Sequence, residues 1–290
     1  KRKIYDKLLE WRKISNQYAL FLEGARRIGK STIAEEFARN EYDDYLILDF
    51  AVESEDVKNE FRNNIGNLDS FFRNLFVQKG KELVPHRSLI IMDEVQKFPL
   101  ARQAVKYLVK DGRFDYIETG SLISIRKNTE RILIPSEEYK VQMFPMDFEE
   151  FLWAQGDTIT VSACREAFDK CSPLGDAVHR KILTRFREYM AVGGMPQAVA
   201  AFAGGASFGQ IDFIKQQILD LYEEDLRTYD TENRERASVI FHTIPNQLNN
   251  RNSHFKFSLV DKSARYQNYI DAVSFVAESM MGNECIGVSA

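Results

Sequence analysis

Residues 24–32, Gly24-Ala25-Arg26-Arg27-Ile28-Gly29-Lys30-Ser31-Thr32, constrain everything around them. They fit G-x-x-x-x-G-K-[ST], the phosphate-binding (Walker A, or P-loop) pattern, at every fixed position. Gly24 and Gly29 let the backbone curl and approach an anion closely. The curled N–H groups, with the positive end of a following helix, cradle phosphate oxygens. Lys30 supplies a mobile point charge for β- and γ-phosphates, and the Ser31 hydroxyl is a hard oxygen ligand suited to Mg²⁺. The flanks agree with this reading. Tyr18 to Glu23 is a short apolar run of strand type, and Ile33, Ala34, Phe37 and Ala38 recur at helical spacing. The bland alternative is a chance Gly/Lys turn with a solvated Arg26-Arg27 pair, and strand-like and helix-like flanks argue against it.

A second signal lies at Ser88-Leu89-Ile90-Ile91-Met92-Asp93-Glu94. Four apolar residues read as a buried parallel strand. Two carboxylates then emerge at its carboxyl end, where ligands bind in open α/β sheets. In a nucleotide hydrolase the first carboxylate holds Mg²⁺ and the second polarises the attacking water. Asp93 is therefore the expected metal residue and Glu94 the expected general base. Such a strand end alone is commonly two solvated acids; an upstream phosphate loop changes that balance. Asp49, at the end of an apolar run over 45–50, is the rival, but no glutamate follows it.

Helix is predicted over Ile4 to Ile14, over Val57 to Leu83 and over Ala101 to Lys110. Phe114 to Ser121 reads as a fourth strand with small polar residues at its tip. Ser121 is the first choice and Thr119 the second for a hydroxyl that touches the γ-phosphate or positions water; simple helix capping is the alternative. Tyr139 to Phe144 reads as a fifth strand, and Asp147 caps a helix over Phe148 to Ala154. The expected class is α/β: a P-loop NTPase with a five-stranded parallel sheet covered by helices. A strand over 45–50 intervenes between the loop strand and the Asp-Glu strand, which leaves room for the additional-strand, catalytic-glutamate type.

The four segments Gly24–Thr32, Ile91–Pro99, Glu118–Ser121 and Phe144–Leu152 closely resemble the AAA-superfamily predicted ATPases of bacteria and archaea. Gly193-Gly194-Met195-Pro196 and Leu221-Tyr222-Glu223-Glu224-Asp225-Leu226 resemble later signatures of the same family. The resemblance implies ATP and Mg²⁺ as ligands, ATP hydrolysis as the activity, and a nucleotide-binding or structural role for Arg26. It implies an ATPase core over 1–155, a helical lid over 156–234 and a winged-helix-like module over 235–290. It further implies a homo-oligomer in which a neighbour's arginine completes the site, Arg126 and Arg131 lying in the plausible region. Family members usually continue into a domain resembling restriction nucleases. The chain stops at Ala290, and no nuclease is expected from these residues. It begins at Lys1 without methionine, consistent with a trimmed start.

Beyond residue 155, helices are expected over Val161 to Lys170, Gly175 to Met190 and Ile211 to Tyr229, with a turn at 193–196. The acids Asp220, Glu223, Glu224 and Asp225 read as a solvated face. Shorter helices are expected over Arg236 to Thr243, Asp261 to Tyr269 and Ile270 to Met280, with a short strand at Phe255 to Ser258. Lys256, Lys262 and Arg265 are candidates for phosphate-backbone contact if the module binds DNA. The net charge of −4 provides no global basic field, so a protein or intramolecular contact is favoured over DNA. Three cysteines without C-x-x-C read as reduced thiols of a cytoplasmic protein, and four scattered histidines have no metal-ligand spacing. No bilayer-spanning run and no signal peptide are visible, so no membrane contact is expected. A nucleotide-gated binding switch with little turnover, and a nucleotide kinase, are the competing functional readings.

Overall fold

The computed structural model describes residues 1–121, 135–229, 234–250, 254–260 and 265–282 of the chain. Arg126, Arg131, Lys262 and residues 284–288 lie outside them.

Five strands form one sheet: β1 (Ala19–Gly24), β2 (Asp44–Asp49), β3 (Ser88–Asp93), β4 (Asp115–Ser121) and β5 (Glu138–Gln142). Their order is β2-β3-β4-β1-β5, and every neighbouring pair is parallel. Parallel neighbours need long crossovers. Helices α2 (Lys30–Glu41), α3 (Glu55–Asn63), α4 (Leu68–Lys79) and α5 (Pro99–Asp111) lie on those connections, and α1 (Ile4–Arg12) precedes the sheet. The strand that follows the loop in sequence, β2, goes to the sheet edge. It is β4 that comes to lie between β1 and β3.

Both faces of the sheet are covered, which is why β3 reads as a continuous apolar run. Leu89 and Ile91 pack with Ile33, Ala34 and Phe37 of α2. Ile90 and Met92 pack on the other face with Phe61, Phe71, Ala104 and Leu108 of α3 to α5. The helix expected over 57–83 is two helices. Asn67 ends the break by accepting from the Ser70 N–H at 3.3 Å, a side-chain cap that starts α4. Helix α6 (Phe148–Ala154) begins as expected, with Asp147 and Glu150 forming a reciprocal capping box.

Helices α7 (Thr160–Asp169), α8 (Asp176–Val192), α9 (Pro196–Ala203) and α10 (Phe208–Tyr229) follow. The turn expected at 193–196 ends one residue sooner, because Pro196 occupies the first helical position of α9. Helix α11 (Arg234–Asn249) runs through Pro245, where a break was expected. Pro245 has no N–H for the Phe241 carbonyl. Ala237 and Ile240 before the proline pack with Ala272, Phe275 and Val276, and Gln247 after it exchanges hydrogen bonds with the Lys256 backbone at 3.2 and 2.6 Å. Helix α12 (Tyr266–Glu278) merges what read as two helices. The strand expected at 255–258 is instead a 3-10 turn, Phe257–Leu259. No strand occurs among the described residues from 235 to 282. No helix among the described residues is long and apolar enough to cross a membrane.

One buried polar cluster sits inside this core. Arg102 of α5 grips Glu138 of β5 through two hydrogen bonds of 2.7 Å and lies over the Phe21 ring. Beside it Glu118 of β4 is fully buried, and neither carboxyl oxygen has a partner among the described residues. Burial, and then the neighbouring Glu138 charge, push the Glu118 carboxyl well above the ordinary glutamate range. The folded chain therefore keeps a proton that the unfolded chain releases near pH 4.5, so stability falls as pH rises from there. Glu118→Gln is expected to raise the melting temperature at pH 7 and above by roughly 2–4 °C, the shift that about 1 kcal/mol makes in a large domain. It is also expected to flatten the pH dependence. Melting curves at several pH values check this, and an unchanged slope contradicts it.

Candidate functional site

The loop between β1 and α2 takes its shape from crowding and from backbone handedness. A Cβ on Gly24 would lie 2.4 Å from the Met143 carbonyl oxygen, so no side chain fits there. Gly29 has φ +91° and caps α2, a left-handed conformation that glycine adopts without penalty. Ala25 and Ile28 anchor the loop in the core shared with α1 and α2, while Arg27 is exposed. Ser31 and Thr32 are exposed on the first turn of α2, whose leading N–H groups are the ones a helix leaves unbonded.

Four expected residues converge at this loop. Lys30 is only 6% exposed, and its Nζ donates to the Gly24 and Ala25 carbonyls at 3.1 and 2.8 Å. Burial lowers its ammonium to about 8, against the pull of the Glu94 and Asp93 carboxylates. The Ser31 hydroxyl donates to Asp93 Oδ1 at 2.8 Å. Thr119 donates from its hydroxyl to the same Asp93 oxygen, and its Oγ1 accepts the Glu94 N–H at 3.3 Å. The paired oxygens of Ser31 and Asp93 at a phosphate loop are a hard donor set, which fits Mg²⁺. Among the described residues no cluster of three or more His, Cys, Asp and Glu offers a self-contained metal site.

Ser121 also lies here, in register with Gly24 across β4 and β1. Its partner is Gln96, whose Nε2 lies 3.4 Å from Ser121 Oγ and also donates to Glu94 Oε2. Thr119, the second choice from sequence, is the hydroxyl that touches the Asp93 carboxylate. Asp49 lies beside Asp93 in register, but its side chain accepts from the Ala51 N–H at 2.9 Å and caps its own turn. The backbone is left-handed at Arg27 within the loop (φ +63°) and at Glu94 just after β3 (φ +55°), a conformation that costs a non-glycine residue free energy.

Three contacts of the loop were not legible. Arg26 Nη1 donates to Asp225 Oδ1 at 2.8 Å, and the Tyr222 hydroxyl donates to the Arg26 carbonyl at 2.9 Å. Asp225 therefore leaves the solvated face assigned to it and joins the loop. Burial raises its carboxyl despite Arg26, and burial pushes the Tyr222 hydroxyl up to about 12. Arg2 donates to the Ile28 carbonyl at 3.1 Å, to the Phe144 carbonyl at 2.7 Å and to Glu150 at 3.0 Å. The spacing of Ile218, Tyr222 and Asp225 along one side of a helix was the available signal for α10. Nothing in the local sequence marked Arg2, and Gln96, though inside the Ile91–Pro99 segment, was given no role there.

Residues 16–152 match the family profile of an AAA domain, and residues 183–290 match a domain of unknown function, DUF8612. The AAA domain carries nucleotide binding of the ATPase type. A structural comparison finds the "Structure of C. elegans PCH-2" at 11% identity, covering 96% of this chain and 67% of that one. Its TM-score of 0.31 is too low to carry an argument. No curated protein matches the chain.

Proposed function

We propose that the chain hydrolyses ATP in the presence of Mg²⁺, with 1–155 as the catalytic core, 156–234 as a helical lid and 235–290 as a C-terminal winged-helix-like module. The observation that carries this reading is the convergence of Lys30, Ser31, Asp93 and Glu94 at one loop, with Ser31 and Asp93 hydrogen-bonded at 2.8 Å. Residues 24–32 wrap the phosphates with backbone N–H groups, and Lys30 exchanges its carbonyl partners for phosphate oxygens. Ser31 and Asp93 hold Mg²⁺, which when bound neutralises charge on the phosphates. Glu94 accepts a proton from the attacking water, and Thr119 fixes Asp93 and the Glu94 backbone. In the additional-strand arrangement β4 lies between the loop strand and the Asp-Glu strand. That topology supports the catalytic-glutamate reading. Phosphate release from ATP, with Mg²⁺ and with EDTA, tests the proposal. Release that needs Mg²⁺ supports it; ATP bound without release under either condition contradicts it.

The lid reading rests on α10. Its Asp225 and Tyr222 hold the phosphate loop, and Ile218 and Tyr222 share a core with Phe241 and Met281 of the C-terminal residues. A phosphate that draws on Arg26 competes with Asp225, so occupancy of the loop is transmitted to α10 and the helices packed on it. This supports an intramolecular role for the C-terminal module over DNA contact. Asp225→Ala is expected to speed amide exchange across 208–229 roughly tenfold, consistent with losing about 1.5 kcal/mol from a charged hydrogen bond, while β1 and β3 stay unchanged. Unchanged exchange in that helix contradicts the coupling.

A further inference from the structure

We propose that Gln96 is a positioning residue for Glu94, holding its carboxylate at the mouth of the phosphate loop. The inference rests on the reading of Glu94 as general base. It starts from a local backbone irregularity. Residues two apart do not face each other on a regular helix. Glu94, however, has φ +55° and caps a 3-10 turn, Val95–Lys97, closed by the Lys97 N–H to the Glu94 carbonyl at 2.9 Å. The left-handed residue swings its side chain back over the turn, and Gln96 meets it there.

The meeting is specific. The Gln96 Nε2 donates to Glu94 Oε2 and lies 3.4 Å from Ser121 Oγ. Gln96 is 4% exposed, and Val95 beside it is 1% exposed, so the turn cannot rotate without breaking the core. A buried amide N–H is costly unless it is hydrogen-bonded. The Nε2 of Gln96 is bonded to the carboxylate expected to do chemistry and to the strand tip that sits in register with Gly24. The bridge spans β3 to β4 at the level of the loop. With Oε2 fixed by Gln96, Oε1 is the oxygen offered to a water. Glu94 is also the first of the charges that act on Lys30, which sets its carboxylate on the side of the phosphates.

Such a hold acts on orientation. Misplacing a catalytic group by about 1 Å costs on the order of a hundredfold in rate. Gln96→Met keeps the volume of the side chain and removes the amide, so the core stays filled. Gln96→Met is expected to lower kcat roughly tenfold to a hundredfold, with KM and the equilibrium ATP affinity changed less than about twofold. In single-turnover measurements on the Glu94→Gln background, the same change is expected to cost less than about twofold, because its effect passes through Glu94. Thermal melting of Gln96→Met checks that the fold is intact.

Three results overturn the proposal: an unchanged kcat, a KM that rises in step with the loss, or an equal loss on both backgrounds. An inactive Glu94→Gln chain beside a fully active Gln96→Met chain removes this role alone. Full turnover by Glu94→Gln removes the reading of Glu94, and this role with it.

Discussion

Glu94→Gln is expected to lower ATP turnover by roughly a hundredfold to ten-thousandfold and to leave ATP affinity within about twofold, the span a positioned general base contributes. The substitution keeps the size and the backbone of the residue. It removes the one property that proton transfer requires, an oxygen that can accept a proton from water. In the proposed site, binding rests elsewhere, on the loop N–H groups and Lys30. The Thr119 contact to the backbone at 94 does not depend on the side chain. Steady-state phosphate release beside equilibrium binding of ATP separates the two effects. Turnover that survives the change removes Glu94 as the base. Affinity that falls with it makes Glu94 a binding residue.

Lys30→Ala is expected to weaken ATP binding by roughly ten- to a hundredfold, the effect of losing about 1.5–3 kcal/mol of charged hydrogen bonding. Two features of the site put the figure there. Lys30 is almost wholly buried among the loop carbonyls, so no bulk water replaces its contact with phosphate. Its ammonium is lowered to about 8 by burial, so near neutral pH it is charged and already stripped of solvent. The same shift fixes a pH dependence. Between about 8 and the ordinary lysine value of 10.5 the free chain has released a proton that phosphate draws back. ATP affinity is expected to fall as pH rises through that window, and binding to take up a proton there. Calorimetric titration in buffers of different ionisation heat measures both. Lys30→Ala abolishes the uptake. An affinity unchanged by the substitution contradicts the loop assignment.

The parts of this site that a reader of the sequence can find are those written locally. Gly24 to Thr32 and Asp93-Glu94 announce themselves because the chemistry demands fixed residue types at fixed spacing. A strand that must be buried on both faces leaves an apolar run before the acids. The Asp147 cap is likewise local and stands where the sequence places it, and Glu150 adds the reciprocal contact of a capping box. What escaped is set by the chain's path through space. Arg26 and Asp225 are 199 residues apart, and the acid looks like any other on a charged helix until Tyr222 and Ile218 turn its face inward. Gln96 reaches Glu94 only through a left-handed residue that no composition rule marks. Strand order was hidden for the same reason. Sequence places β2 between the two chemical strands, and in the sheet it lies at the edge, beyond β3. Local propensity argues for a break at Pro245, yet the helix continues to Asn249, with tertiary contacts on both sides of the proline.

The most direct measurement is phosphate release by the purified chain at saturating ATP with Mg²⁺, beside the Glu94→Gln chain with bound ATP quantified in both. Sustained release is expected from the first, at least about a hundredfold less from the second, and equal ATP bound to each. Equal release by the two chains, or none by the first while it holds ATP, contradicts the proposed hydrolysis.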